Sequence, residues 1–157
     1  MSLIRRSDCI VKGALGRNPF TRGPVRAAGF LFNESSEGLI ADCVSSVRTG
    51  NNLIIFPEGT RSSRTEPMRL HRGAARVAVH GEVDITPVRI RCTPPTLAKG
   101  DKWWRVPPQR PRFTIEVGEP ITVAQFIADA PSHALAARRL NQHLTDYFSR
   151  EHPLASA

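Results

Sequence analysis

A carboxylate, a glycine, two hydroxyls and a guanidinium stand together in Phe56-Pro57-Glu58-Gly59-Thr60-Arg61-Ser62, directly after the apolar run Asn52-Leu53-Ile54-Ile55-Phe56. If that run is a strand, these polar groups lie at its C-terminal end, the place where α/β sheets bind ligands. A guanidinium such as that of Arg61 can donate two parallel charge-assisted hydrogen bonds to one planar or tetrahedral anion. Gly59 would let a ligand approach the main chain, and Glu58 can accept hydrogen bonds. From residue types alone a second reading stands beside this one. Pro and Gly are ordinary turn residues, and Pro-Glu-Gly-Thr can be a plain turn leaving a strand.

The remaining reactive side chains are read more plainly. Arg64, Arg69 and Arg72 follow the motif and are expected to be solvated charges, although together they attract anionic lipid. Cys9, Cys43 and Cys92 are odd in number, widely spaced and set in apolar or strand-like surroundings, which suits reduced core thiols rather than a disulfide framework or a zinc site. The five histidines, His71, His80, His133, His143 and His152, are expected to be surface or satisfied polar residues. Trp103-Trp104, in a basic and proline-rich stretch, fits either a membrane-interface anchor or packing over a sheet edge.

The elements that must position the motif alternate along the chain. Strands are expected near residues 8–11, 30–32, 52–56, 85–91 and 112–118, with 52–56 buried on both faces. Leu39, Ile40, Cys43, Val44 and Val47 recur at helical spacing, with Ser35 or Ser36 as N-cap and Gly50 as the stop. Ala74, Ala75, Val77 and Ala78 predict a helix ending near Gly81, and Leu140, Leu144, Tyr147 and Phe148 form the apolar stripe of a terminal helix. A short or broken helix is expected between Lys12 and Gly29, and the proline-rich segment 92–111 reads as an excursion from the sheet. The fold class that follows is α/β: one mixed, largely parallel sheet flanked by helices.

Composition bounds this picture. With 157 residues and 40% hydrophobic content, one domain with a real core is expected, spanning 1–157. Twenty-two Lys and Arg against 14 Asp and Glu give a formal charge of +8. Such a surface favours polyanions: nucleic acid, anionic lipid headgroups or phosphorylated molecules. Nucleic acid is set aside, because the basic balance comes without a recognition-helix pattern, a zinc motif or aromatics interleaved on strands. No apolar stretch approaches the roughly 18 residues that span a bilayer, so membrane contact by this chain is expected to be peripheral.

Phe-Pro-Glu-Gly-Thr-Arg-Ser resembles, residue for residue, the third signature block of the glycerolipid acyltransferases, the 1-acyl-sn-glycerol-3-phosphate (lysophosphatidate) type. The resemblance extends on both sides. CIVKGALGRNPFTRGPVRAAGFLF is similar to the family's strand, helix start, Asn-Pro-Phe and Gly-x-x-Phe segment. HRGAARVAVHGEVDITPVRI resembles its Gly-Ala-Ala helix and Pro-Val strand, with Pro87 in the place of the fourth block's proline, and RFTIEVGEPI its later Gly-Glu-Pro-Ile strand. The resemblance implies acyl transfer from acyl carrier protein or coenzyme A to the free hydroxyl of a lysophospholipid such as 1-acylglycerol 3-phosphate, in phospholipid biosynthesis. It implies substrate binding by Phe56, Pro57, Glu58, Gly59, Thr60, Arg61 and Ser62, with Arg61 on the phosphate. It also implies no bound cofactor or metal, the acyl thioester being a substrate, and a place at the cytoplasmic face of an anionic membrane.

The sequence departs from that pattern twice. The family's first block pairs a histidine, as general base, with an aspartate five residues on that orients it. Five residues beyond the histidines here stand Arg76, Ile85, Arg138, Phe148 and Ala157, so none qualifies. His80 and Asp84 are four apart, and His143 and Asp146 three apart. No catalytic residue is therefore assigned, and the domain is expected to lack its N-terminal catalytic segment, through a start placed too late or a truncated gene. The second departure follows Phe32, where Asn33-Glu34-Ser35 stands in place of the family's frequent arginine. A different acceptor, such as a lyso-ornithine lipid, and an inactive lipid- or phosphate-binding remnant are the alternatives.

Overall fold

The computed structural model describes residues 7–13, 17–33, 36–59, 68–96, 102, 104 and 107–150. Strand β1 (Ser7–Lys12) is followed by α1 (Pro19–Ala27), β2 (Leu31–Asn33), α2 (Ser36–Arg48) and β3 (Asn52–Ile54). Next come α3 (Gly73–Gly81), β4 (Val88–Thr93), β5 (Arg112–Val117), α4 (Ala124–Ala128) and α5 (His133–Arg150).

The alternation of strand and helix in the first half gives parallel pairing, since a crossover helix returns the chain to the same end of the sheet. The strand order is β2-β1-β3, with β1 parallel to both neighbours. Asn18 starts α1 by accepting a 2.9 Å hydrogen bond from the Phe20 N–H, and Pro19 occupies the first helical position, where its missing N–H costs nothing. Helix α2 packs on the sheet through the fully buried Cys43 and stops at Gly50, whose φ of 85° is open to glycine. At the other end of β1, Asp8 accepts from the buried Ser46 hydroxyl and, at 3.3 Å, from Asn51, tying strand, helix and turn together.

The five expected strands do not form one sheet among the described residues. The parallel trio stands apart from an antiparallel pair, β4-β5. Residue 85 makes only an isolated bridge to Ile121, and the ladder begins at Val88, after Pro87, which has no N–H to give. Strand β3 is also shorter than expected. It ends at Ile54, lies at a sheet edge and is only half-buried, so it is not covered on both faces.

The strand expected at 85–91 is also not a core strand. Val88 pairs with Val117, Ile90 with Ile115 and Cys92 with Phe113, all on one face of the ribbon. Val88, Ile90, Phe113, Ile115 and Val117 are 44–69% exposed. On the opposite face Arg89 is the packed residue: its guanidinium lies 5.8 Å from the Tyr147 ring centre and 5.9 Å from that of Phe148, and pairs with Glu116 at 3.3 Å.

The main core lies instead between α3 and α5. Ala75, Ala78 and Val79 of α3 meet Ala136, Ala137, Leu140 and Leu144 of α5, closed by Ile121 and Val123. Small residues set these helices close together. Gly81 does the same toward α2, since a Cβ there would come within 3.2 Å of Val47 Cγ2.

Candidate functional site

The chain leaves β3 through Ile55 and Phe56 and turns at Pro57-Glu58-Gly59. The Gly59 N–H donates to the Phe56 carbonyl at 3.1 Å, and the His71 N–H donates to the Pro57 carbonyl at 2.8 Å. The second bond ties the turn to the residue two places before α3. The Pro57-Glu58-Gly59 turn therefore sits between the C-terminal end of a parallel strand and the entry to a helix, as the sequence pattern anticipated.

Gly59 has φ of 64°, and a Cβ built on it would lie 2.9 Å from His71 Cδ2. Two separate reasons thus favour glycine: the left-handed backbone and the imidazole against it. His71 is exposed, so its ring can swing away and the backbone term dominates. Gly59→Ala is expected to lower stability by about 1–2 kcal/mol. Adding His71→Ala should recover little of that, as read from urea unfolding of the single and double variants. Full recovery in the double variant would assign the cost to the ring contact instead.

Pro57 and Glu58 are half-buried and Phe56 is 64% exposed. Thr60, Arg61 and Ser62 lie outside the described residues, as do Arg64, Trp103 and His152. The structure thus brings together Phe56, Pro57, Glu58 and Gly59 of the predicted set and adds His71, which residue types alone had left as a surface histidine. The available signal was its place two residues before the Gly-Ala-Ala helix.

The other candidates sit elsewhere. Arg69 and Arg72 are exposed. Asp84, near His80 in sequence, accepts from the Val123 N–H at 2.9 Å, and Asp146, near His143, accepts from Gln142 Nε2 at 2.9 Å. Trp104 is 60% exposed, with Lys102 Nζ 5.5 Å from its ring centre. The three cysteines are free. Burial pushes the Cys43 thiol up to about 11, helped by the charges of Asp42 and Asp8, and burial also raises Cys9. A thiolate is disfavoured at both, which removes them as nucleophiles. No helix among the described residues is long and apolar enough to cross a membrane.

A family model for acyltransferases matches residues 2–91, more than half of the chain, from before β1 through α3 and into β4. The chain belongs to the acyltransferase family. The Pro57-Glu58-Gly59 turn lies inside the matched acyltransferase region. The fold is similar to that of the 1-acyl-sn-glycerophosphate (LPA) acyltransferase PlsC from Thermotoga maritima, with a TM-score of 0.64 and 20% sequence identity. That comparison covers 93% of this chain and 56% of the PlsC chain, so the acyltransferase chain described here spans a little over half the length of that protein. No curated protein matches it in sequence.

Proposed function

We propose that this chain forms the acceptor-binding part of an acyltransferase that moves an acyl group from acyl carrier protein or coenzyme A to the free hydroxyl of a lysophospholipid such as 1-acylglycerol 3-phosphate. The observation that carries the reading is the Pro57-Glu58-Gly59 turn at the end of β3, pinned by His71 and lying inside the acyltransferase match. In the reaction the acceptor oxygen forms a bond to the thioester carbonyl carbon, the carbon–sulfur bond breaks, and the thiol leaves with the proton that the hydroxyl gives up. A base must hold that proton in transit. Membrane contact is peripheral, at an anionic cytoplasmic surface, drawn by the +8 charge.

Arg61 takes the acceptor phosphate in this scheme. In an active form of the enzyme, Arg61→Ala should reduce kcat/KM for lysophosphatidate by roughly 10- to 150-fold, the cost of one charge-assisted hydrogen bond, with unfolding stability almost unchanged. Equal kcat/KM for variant and parent would remove Arg61 from that role.

A second reading is a phosphate- or lipid-binding remnant without turnover. It is favoured by one observation, that no histidine of the 157 residues has an aspartate five positions on.

A further inference from the structure

Arg72, Arg76 and His80 recur every fourth residue and therefore share one side of α3, where all three are exposed. Across from them stands the first turn of α5. His133, Ala134 and Ala137 complete a cleft of about 420 Å³ with those three side chains. The His80 and His133 rings meet edge to face with centroids 5.2 Å apart, which brings the two helices' polar rims together at one point. Ala134 and Ala137 present only methyl groups, so the space between the cations is left open, with the buried Ala137 as its floor.

The electrostatics of this cleft are one-sided. Its lining holds two guanidiniums and two imidazoles and no carboxylate. Arg48, at the end of α2, donates to the His80 carbonyl at 3.3 Å and adds positive charge at that end. The 18-residue α5 begins here too. Ser132 Oγ accepts from the Leu135 N–H at 3.3 Å, and the first-turn amides of His133 and Ala134 add donors and the positive end of the helix dipole. The guanidiniums that line one cleft repel one another, and a multivalent anion between them relieves that repulsion. Guanidiniums offer forked donors, and each imidazole offers at least one N–H in either protonation state.

We propose that this cleft between α3 and α5 binds the phosphate groups of a phosphorylated ligand. Its position gives that ligand a role. Arg72, at one end of the cleft, directly follows His71, whose N–H is held by the Pro57 carbonyl, so that end is one residue along the chain from the anchor of the Pro57-Glu58-Gly59 turn. In the acyl-transfer reading such phosphates belong either to the nucleotide handle of a coenzyme A thioester or to a lipid headgroup. This assignment of the ligand's role rests on the acyl-transfer reading; the anion binding itself does not.

The test follows the histidine ring signals of His80 and His133 by NMR while residues 1–157 are titrated separately with coenzyme A, glycerol 3-phosphate and sodium sulfate. The expected result is saturable movement of both signals with at least one phosphorylated probe, at concentrations where sulfate moves neither. Tighter binding of coenzyme A assigns the cleft to a nucleotide handle, and tighter binding of glycerol 3-phosphate assigns it to a headgroup. Arg76→Gln should weaken the preferred probe by about tenfold. His143→Gln, in a separate cleft with Phe126 and Asp129, should leave it unchanged. Ring signals that stay still, equal response to sulfate, or unchanged affinity in Arg76→Gln would each overturn the proposal. Acyl transfer does not enter this readout, so lack of turnover leaves the cleft standing, and lack of binding leaves the Pro57-Glu58-Gly59 turn as the acceptor site.

Discussion

Purified residues 1–157, given saturating lysophosphatidate and an acyl thioester, are expected to release no thiol above the uncatalysed background. The reason lies in the proton. A hydroxyl attacks a thioester poorly until a positioned base takes its proton, and such a base contributes about 10²- to 10⁴-fold. His71 is the histidine nearest the turn, but its ring lies against Gly59, and the residue five positions on is Arg76. His80 and His133 face each other 5.2 Å apart across the cleft between α3 and α5, and His143 lies edge-on to Phe126. None of these is oriented by an aspartate at the family's spacing. Supplying a segment that carries histidine and the spaced aspartate should restore thiol release, and histidine-to-alanine in that segment should abolish it again. Robust turnover by residues 1–157 alone would show that one of these histidines serves as base, and His71→Ala would be the first variant to identify it.

Leu140→Ala is expected to be the most damaging single truncation in the core, lowering unfolding stability by about 2–5 kcal/mol. Leu140 is fully buried and faces an interface built largely from alanine, with Ala75, Ala78, Ala136 and Ala137 beside Val79 and Val123. Methyl groups fixed to close-packed helix backbones cannot swing into a vacated volume, so the cavity persists. A domain of this size commonly has only about 5–15 kcal/mol to lose. Leu140→Met, which conserves volume, should cost less than about 1.5 kcal/mol. Urea unfolding of the three proteins decides the matter, and a loss under 1 kcal/mol for Leu140→Ala would mean that the α3–α5 contact is looser than its burial indicates.

Periodicity and punctuation made much of the fold legible before any coordinates. Helix α2 was written in Leu39, Ile40, Cys43, Val44 and Val47 and in the stop at Gly50, and α3 in the alanines before Gly81. These signals are local, and local hydrogen bonding settles them. Which strands share a sheet is not local. Alternation in 85–91 gives a strand with two faces, one bearing Arg89 and Arg91 and one bearing Val88 and Ile90, and the second is the one that hydrophobic burial alone would turn inward. The structure instead packs Arg89 of the first, because its guanidinium can lie over Tyr147 and Phe148 and still reach Glu116, and the ring contacts depend on a helix about 60 residues away in the chain. The short α4 also escaped notice, since five residues hold barely more than one turn of periodicity. At the site, the run of residue types pointed to Phe56, Pro57, Glu58 and Gly59, but only the fold could bring His71 against them. Residue spacing carried a similar hint at the cleft, where Arg72, Arg76 and His80 lie one helical turn apart, but His133 joins them solely through the packing of α5 on α3.

The outward-facing ladder of Val88, Ile90, Phe113, Ile115 and Val117 also governs how this protein behaves at high concentration. An apolar face of that kind pulls molecules together, while the +8 net charge holds them apart over a distance set by the ionic atmosphere. At low ionic strength repulsion reaches tens of ångströms and keeps the molecules dispersed; near 1 M salt it shrinks to about 3 Å and the ladder is left unopposed. Salt therefore acts in two directions on this protein: it weakens the proposed attachment to anions and at the same time invites self-association, so that colloidal behaviour and the proposed ligand affinity respond to the same variable.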